Sequence, residues 1–219
     1  MLTIHNLFLG FKVNEELMIL GISGRIGSGK DTVADFLVQQ HNFKRYSFAE
    51  AVKDCLSIIF GWNRELLNGY TVESREFRER VDEWWANRLG IPNFSPRFAM
   101  QYYATDIMRN CFHQDIWIAS LEYKLKKETQ NCVVTDCRFP NEFYSIKNLN
   151  GLTIRVERGN DPYWYEYARR LDSHSIEKLK SEKIHESEYL SISLPYDKII
   201  RNDGTLDDLS SIVRSIVNS

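Results

Sequence analysis

The sequence predicts an α/β protein: a parallel sheet covered on both faces by helices. Three observations predict it. Short apolar runs alternate with segments of helical period, as strand–helix–strand units require. The first run, residues 17–22, feeds a glycine-rich turn and then an amphipathic segment with Val33, Phe36 and Leu37 on one face. The chain has 219 residues, which suits one domain carrying insertions. Gly (11) and Pro (5) are too few for a low-complexity chain.

Taken in order, residues 17–22 form a compact apolar run of strand length that ends in Gly and Ser. Residues 43–48 give a second strand, after which Ser47 and Glu50 make a capping-box signature. The helix that follows carries Val52, Cys55, Leu56, Ile59 and Phe60 at helical spacing, and Gly61 ends it. Helical period dominates residues 64–127, with Phe77, Val81, Trp84, Trp85 and Leu89 as one core-facing stripe. Residues 75–80 mix both charges, as a solvated face does. Ser95-Pro96 reads as N-cap and first helical residue, and Asp115 as the cap of a helix that turns Ile118, Leu121 and Leu125 inward. Strand signals return at 132–135, 152–156 and 196–200. Thr205 and Asp208 suggest another capping box, before a helix with Leu206, Leu209, Ile212, Val213, Ile216 and Val217 on its apolar face. The expectation is one domain over 1–219. Its core is at about 17–60, 129–157 and 191–219, with helix-rich insertions at about 61–128 and 158–190.

Composition narrows the function. Lys and Arg number 28 against 30 Asp and Glu, so the net charge of −2 disfavours a surface that coats nucleic acid or hugs a membrane. A local basic cleft remains compatible with it. Cys55, Cys111, Cys132 and Cys137 form no CxxC pair and have no His at zinc spacing, so they read as reduced thiols. No apolar run approaches the ~18–20 residues of a membrane span. Residues 1–11 hold a short apolar patch at 7–9 and no basic start, unlike a signal peptide. These features predict a cytoplasmic protein.

The chemistry begins at Gly24-Arg25-Ile26-Gly27-Ser28-Gly29-Lys30-Asp31-Thr32, which follows the first strand and opens a helix. G-x-x-x-x-G-K is the P-loop pattern. Its glycines let backbone N–H groups turn around a phosphate chain, the helix N-terminus adds positive potential, and Lys30 reaches the β- and γ-phosphates. The fold class sharpens to a P-loop NTPase-type parallel sheet, and the Lys fits a triphosphate. Asp31 stands where Ser or Thr usually ligates Mg²⁺; Asp31 directly, Asp31 through water, or Thr32 would do so instead. A Rossmann dinucleotide site is disfavoured, since G-x-G-x-x-G is absent in order.

P-loops serve many activities. No N-K-x-D guanine motif occurs, and the chain is short for a motor. Asp136 ends a predicted parallel strand, where such sheets bind ligands, and is suited to a Mg²⁺-bound water or a substrate hydroxyl. Arg138 follows in the same cleft and suits a phosphate fork. Arg97, Gln101, Thr105 and Arg109 recur at spacing four and share a helix face, either solvated or lining a polar cleft.

At this point the chain resembles the bacteriophage-type deoxynucleoside monophosphate kinases. The matching residues are Gly24–Thr32 with its Gly-Lys-Asp-Thr, Ala51-Val52-Lys53-Asp54, and the run from Arg97 through Gln101, Ala104 and Thr105 to Asp106. They continue with Asp115-Ile116-Trp117, Asp136-Cys137-Arg138 with Glu142, His185-Glu186-Ser187-Glu188, and Arg201-Asn202-Asp203-Gly204-Thr205. The resemblance runs from about residue 17 to the end, and the Asp after Lys30 is part of the pattern. Ala104, where Gly is usual, departs from it.

The resemblance implies a sheet with an NMP-binding helical insertion at 61–128 and a lid at 158–190. It implies transfer of the γ-phosphoryl of ATP to a deoxynucleoside 5′-monophosphate, with Mg²⁺. ATP would lie on Gly24, Arg25, Gly27, Ser28, Gly29, Lys30, Asp31 and Thr32. The monophosphate would lie among Lys53, Arg97, Gln101, Thr105, Trp117, Asp136, Arg138 and Glu142. Lys30, Asp136 and Arg138 would be catalytic, and Asp31 and Thr32 would face the metal. Trp117 suits stacking on a base, or a core position. The lid would bring cations from among Arg158, Arg169 and Arg170 over the phosphates. The implied partner is the nucleotide, not nucleic acid or membrane; a homodimer stays open. The rival readings are a P-loop kinase of another small substrate, such as dephospho-coenzyme A, and a non-catalytic ATP-binding switch. Asp31 and the Arg97–Thr105 face disfavour the first, and Asp136 with Arg138 the second.

Overall fold

The computed structural model describes residues 17–218; the reading of residues 1–11 lies outside them. Five strands, β1 Ile19–Gly24, β2 Lys44–Tyr46, β3 Cys132–Val134, β4 Leu152–Glu157 and β5 Lys198–Arg201, pair in parallel in the order β2-β3-β1-β4-β5. The helices are α1 Lys30–His41, α2 Glu50–Phe60, α3 Val72–Glu79, α4 Glu83–Leu89, α5 Pro96–Gln101, α6 Ile116–Leu125, α7 Pro140–Asn148, α8 Tyr165–Arg170, α9 Ser173–Ser181, α10 Glu186–Tyr189 and α11 Leu206–Val217.

The chain divides into a sheet unit, up to Tyr46 and from Glu122 on, and a second unit, Ser47–Leu121. α2 belongs to the second unit together with the helices that follow it, and the 158–190 segment belongs to the sheet unit.

In the sheet unit β1 is central. Leu20 pairs with Val133 on one side and Ile22 with Ile154 on the other. Both faces are covered, so Ile19, Leu20 and Ile22 are all essentially buried and read as one unbroken apolar run. α1 and α11 supply Val33, Leu37, Val213 and Ile216 to that core. Each such side chain is worth roughly 1.5–3 kcal/mol when fully buried. The capping box at α11 forms as expected: Thr205 accepts the Asp208 N–H at 3.2 Å, and Asp208 accepts the Thr205 N–H at 2.9 Å. All five strands lie within two residues of their expected ends. β1 extends to Gly24 because its ladder with β4 continues to the Gly24–Val156 pair.

Residues 158–190 fold as three short helices around Tyr165, Ala168, Leu179 and Tyr189. Arg155, 3% exposed on β4, ties this segment to the sheet. It donates to Glu157 at 2.9 Å, to the Tyr165 hydroxyl at 3.0 Å and to the Ser191 carbonyl at 3.3 Å.

The second unit is aromatic. Phe60 stacks on Trp62 at 4.5 Å and meets Trp85 edge-on at 5.0 Å. Three expectations are corrected here. The Ser47–Glu50 capping box does not form: α2 begins only at Glu50, and the Ser47 carbonyl, not its hydroxyl, takes the Glu50 N–H at 3.2 Å. The stripe from Phe77 to Leu89 is not one face. Arg80 is extended and Asp82 caps a new helix through the Trp85 N–H, so Trp84 and Leu89 turn out to solvent. Finally, residues Tyr102–Phe112 wind as a π-helix, closed by the i→i+5 bond from the His113 N–H to the Met108 carbonyl. The spacing-four row that begins at Arg97 and Gln101 therefore loses its α-helical register by Thr105 and Arg109. Ser95 caps α5 as expected, accepting the Phe98 N–H at 3.2 Å.

Candidate active site

The loop between β1 and α1 is built to leave donors open. Gly29, the N-cap of α1, sits at φ 94° and has no side chain to cap the helix, so the first-turn N–H groups await an external acceptor. A side chain on Gly29 would also collide with the Asn202 amide. Asn202 follows β5 and is buried; it donates to the Ser28 carbonyl at 2.9 Å and so braces the loop from below. Gly24 allows another close approach: a Cβ there would lie 2.6 Å from the Val156 carbonyl. Ser28 is 3% exposed, and its hydroxyl has no partner among the described residues. An orphaned hydroxyl beside a helix start without a side-chain cap fits a phosphate oxygen.

Beside the loop is a cavity of about 310 Å³ lined by Arg25, Ile26, Gly27, Ser28, Arg158, Gly159 and Asn160. Arg25 crosses to the far wall, donating to the Arg158 carbonyl at 3.2 Å and the Asn160 carbonyl at 3.1 Å. Its guanidinium also lies 5.6 Å from the Tyr165 ring. Thus the start of the 158–190 segment is hydrogen-bonded to the phosphate loop.

Lys30 is 9% exposed. Burial pushes its ammonium below the usual value, Asp31 opposes that shift, Arg138 adds to it, and Glu188 and Asp136 oppose it. One cation of the loop and one at the end of β3 therefore share a field with three carboxylates. The order of the sheet explains why. β1 and β3 are neighbours, so the loops after both strands emerge at the same edge, where the strand order reverses. Asp31 is 3.9 Å from the Lys30 ammonium, and its side chain is 56% exposed. Asp31 and Thr32 are hard oxygen donors next to the phosphate loop and fit a Mg²⁺ that takes its other ligands from phosphate and water. Among the described residues no cluster of three His, Cys, Asp or Glu forms a protein-only cage.

Glu142 is 2% exposed on the first turn of α7, and its carboxylate accepts the backbone N–H of Arg138 at 2.8 Å and of Phe139 at 3.1 Å. It therefore shapes the turn that carries Arg138. The Arg138 guanidinium pairs with Glu188 of α10 at 3.1 Å.

The other expected substrate residues belong to the second unit. Lys53 is buried, donates to Asn68 at 3.3 Å and lies 5.8 Å from the Tyr70 ring. Arg97 pairs with Glu79 at 2.8 Å. Gln101 is exposed and Thr105 half-buried. Trp117 is in the core: it is 4% exposed and donates to the Ala104 carbonyl at 3.0 Å. The four cysteines are free thiols, and burial pushes Cys132 up to about 12.

Sequence reasoning assigned no role to Arg155, Tyr165, Glu188 or Asn202. Glu188 and Asn202 lie in stretches that carry the resemblance, but each acts by touching another chain segment, which no local spacing reveals. Tyr165 gathers Arg25, Arg155 and Arg169 around its ring at 5.6, 5.9 and 5.0 Å.

A protein of Acanthamoeba polyphaga mimivirus with a provisional deoxynucleotide monophosphate kinase name is 28% identical over 93% of this chain and 97% of its own. The deoxynucleoside-5′-monophosphate kinase of Escherichia phage T5 is 27% identical over 63% of this chain and 74% of its own. A dephospho-CoA kinase from Campylobacter jejuni superposes with a TM-score of 0.45 at 16% identity, over 91% of this chain and 95% of that one, a likeness too distant to bear on function. The deoxynucleotide monophosphate kinase family model matches residues 18–82 and 72–213, nearly all of the sheet and the insertions, and the chain belongs to that family.

Proposed function

We propose that this chain transfers the γ-phosphoryl of ATP to a deoxynucleoside 5′-monophosphate, with residues 24–32 holding the donor and Arg138 the acceptor phosphate. The observation that carries the reading is the sheet order, which sets the loop of Lys30 after β1 beside the Asp136–Arg138 turn after β3 at one edge of the sheet. A switch module needs a phosphate loop alone; a kinase needs a second cation for the acceptor.

The chemistry asks little covalent work of the protein. An oxygen of the acceptor phosphate, already deprotonated near neutral pH, forms a bond to the γ-phosphorus. The bond from that phosphorus to the β–γ bridging oxygen breaks, and ADP leaves with the electron pair. The protein's task is alignment and neutralisation of charge. Lys30 and the first-turn N–H groups of α1 bind the donor oxygens. The Arg138 fork holds the acceptor phosphate by charge-assisted bonds. Asp136 orients a water or a substrate hydroxyl. Asp31 and Thr32 would hold Mg²⁺, which would supply neutralisation of the donor's phosphate charge. Arg158, on the wall of the loop cavity, is the lid cation best placed for phosphate. In the second unit, Arg97 and Gln101 carry donors suited to a nucleotide.

The test is a coupled assay of ADP release over a panel of ribo- and deoxynucleoside monophosphates. Turnover with deoxynucleoside monophosphates supports the reading. ATP binding with no turnover on any member of the panel would overturn it in favour of a switch.

A further inference from the structure

The Arg138–Glu188 pair has features that a surface ion pair lacks. Both partners are only partly exposed, at 36% and 22% of their side chains. A pair with that much water adds little to stability, so stability gives little reason for it. Its geometry gives a better one. The base of the Arg138 side chain is fixed because the buried Glu142 carboxylate takes the Arg138 N–H. The tip is fixed because Glu188 takes Nη1. Glu188 lies on α10 next to Tyr189, which is 3% exposed in the small core of the 158–190 segment. Among the described residues Nη1 is the only guanidinium nitrogen of Arg138 with a hydrogen-bond partner, which leaves Nε and Nη2 as a fork for phosphate.

We propose that Glu188 is a positioning residue for phosphoryl transfer: it clamps one edge of the Arg138 guanidinium so that the other edge is preset for the acceptor phosphate. Glu188 need not touch the nucleotide. It lowers the cost of ordering a long side chain at the moment of binding, which is the usual gain from preorganisation. Its charge also offsets the mutual repulsion of Lys30 and Arg138 before a phosphate arrives. Because Glu188 comes from the 158–190 segment and Arg138 from the end of β3, the clamp makes the acceptor cation depend on how that segment is folded.

This inference rests on Arg138 serving the acceptor, so the experiment is a double-mutant cycle. Saturation curves for both substrates are measured on the wild type, Glu188→Ala, Arg138→Ala and the double variant, with far-UV circular dichroism as a fold control. Glu188→Ala is expected to lower kcat/KM for the monophosphate about 10–10²-fold, the scale of a small misplacement, while KM for ATP stays put. The double variant is expected to be no worse than Arg138→Ala alone. Glu188→Gln, which keeps an oxygen acceptor but no charge, is expected to lie between wild type and Glu188→Ala, and carries the same cycle if Glu188→Ala misfolds. A damaged Arg138→Ala beside an undamaged Glu188 variant, or losses that multiply in the double variant, would overturn the clamp alone. An Arg138→Ala variant with unchanged kinetics would overturn the assignment of Arg138 and the clamp with it.

Discussion

Lys30 is 9% exposed and carries a charge that its own surroundings penalise. Burial is the largest influence on it and pushes its pKa below the usual 10.5. The sign of the linkage follows. Where the ammonium is charged in both states, the folded state bears the penalty; as pH rises through the lowered folded value, the proton is shed and the penalty fades. We therefore expect Lys30→Met to change two measurements in opposite directions. Turnover should fall about 10²–10³-fold, as on loss of one preorganised charge-stabilising group. The Tm of the unliganded protein at neutral pH should rise by about 2–4 °C for each kcal/mol of relieved penalty, and the gain should shrink toward pH 10. A variant with near-normal turnover, or with lower Tm at neutral pH, contradicts this account of the loop. Arg138 poses the complementary case. Arg138→Ala should lower kcat and kcat/KM together if the guanidinium acts as charge moves in the transition state, and should raise KM alone if it only binds the ground state. Arg138→Lys should not restore activity, since an ammonium lacks the fork.

At the level of elements, one buried residue holds the 158–190 segment to the sheet. Arg155 joins β4 to both the Tyr165 hydroxyl and the Ser191 carbonyl, so the two ends of the 158–190 segment hang on one buried guanidinium. Replacing it with Leu would strand Glu157 without its closest cation. We expect Arg155→Leu to cost roughly 3–5 kcal/mol in urea denaturation, the range for breaking a buried pair from one side. A loss under about 1 kcal/mol would mean that the network is solvated in solution. The capping box of α11 is the milder control. Thr205→Ala removes one half of a reciprocal pair at an exposed helix end and should cost about 1 kcal/mol, with no effect on KM for either nucleotide.

For the whole molecule, the sheet order matters most. With β1 in the centre and the strand order reversing at it, the phosphate loop and the Asp136–Arg138 turn share an edge without any long-range specification beyond strand pairing. A molecule preset for a nucleotide should be stabilised by it. Mg²⁺–ATP at about 100 times its Kd should add about 2.7 kcal/mol, seen as a rise of several degrees in Tm, and the rise should vanish in Lys30→Met. Activity should be lost in excess chelator, and Asp31→Asn should need more Mg²⁺ for half-maximal rate. Full activity in chelator would remove Asp31 and Thr32 from the metal assignment.

The sequence by itself determined the α/β class, the five strands and the phosphate loop, because each is a local matter. A buried parallel strand must be an apolar run, a phosphate loop must be glycine-rich before a helix, and Thr205 and Asp208 are three residues apart wherever they fold. Asp136 and Arg138, read from the sequence at a strand end, lie in the turn between β3 and α7. Tertiary structure decided what depends on a partner distant in sequence. Trp117 carries no local sign of burial; packing put it in the core, with its indole N–H on Ala104. Glu142 shapes the turn that carries Arg138, because the N–H groups of Arg138 and Phe139 lie within its reach. The row from Arg97 to Arg109 assumed 3.6 residues per turn, and the backbone widened instead at Tyr102. Glu188 meets Arg138 across 50 residues of chain, a contact that only the folding of the 158–190 segment onto the sheet unit creates.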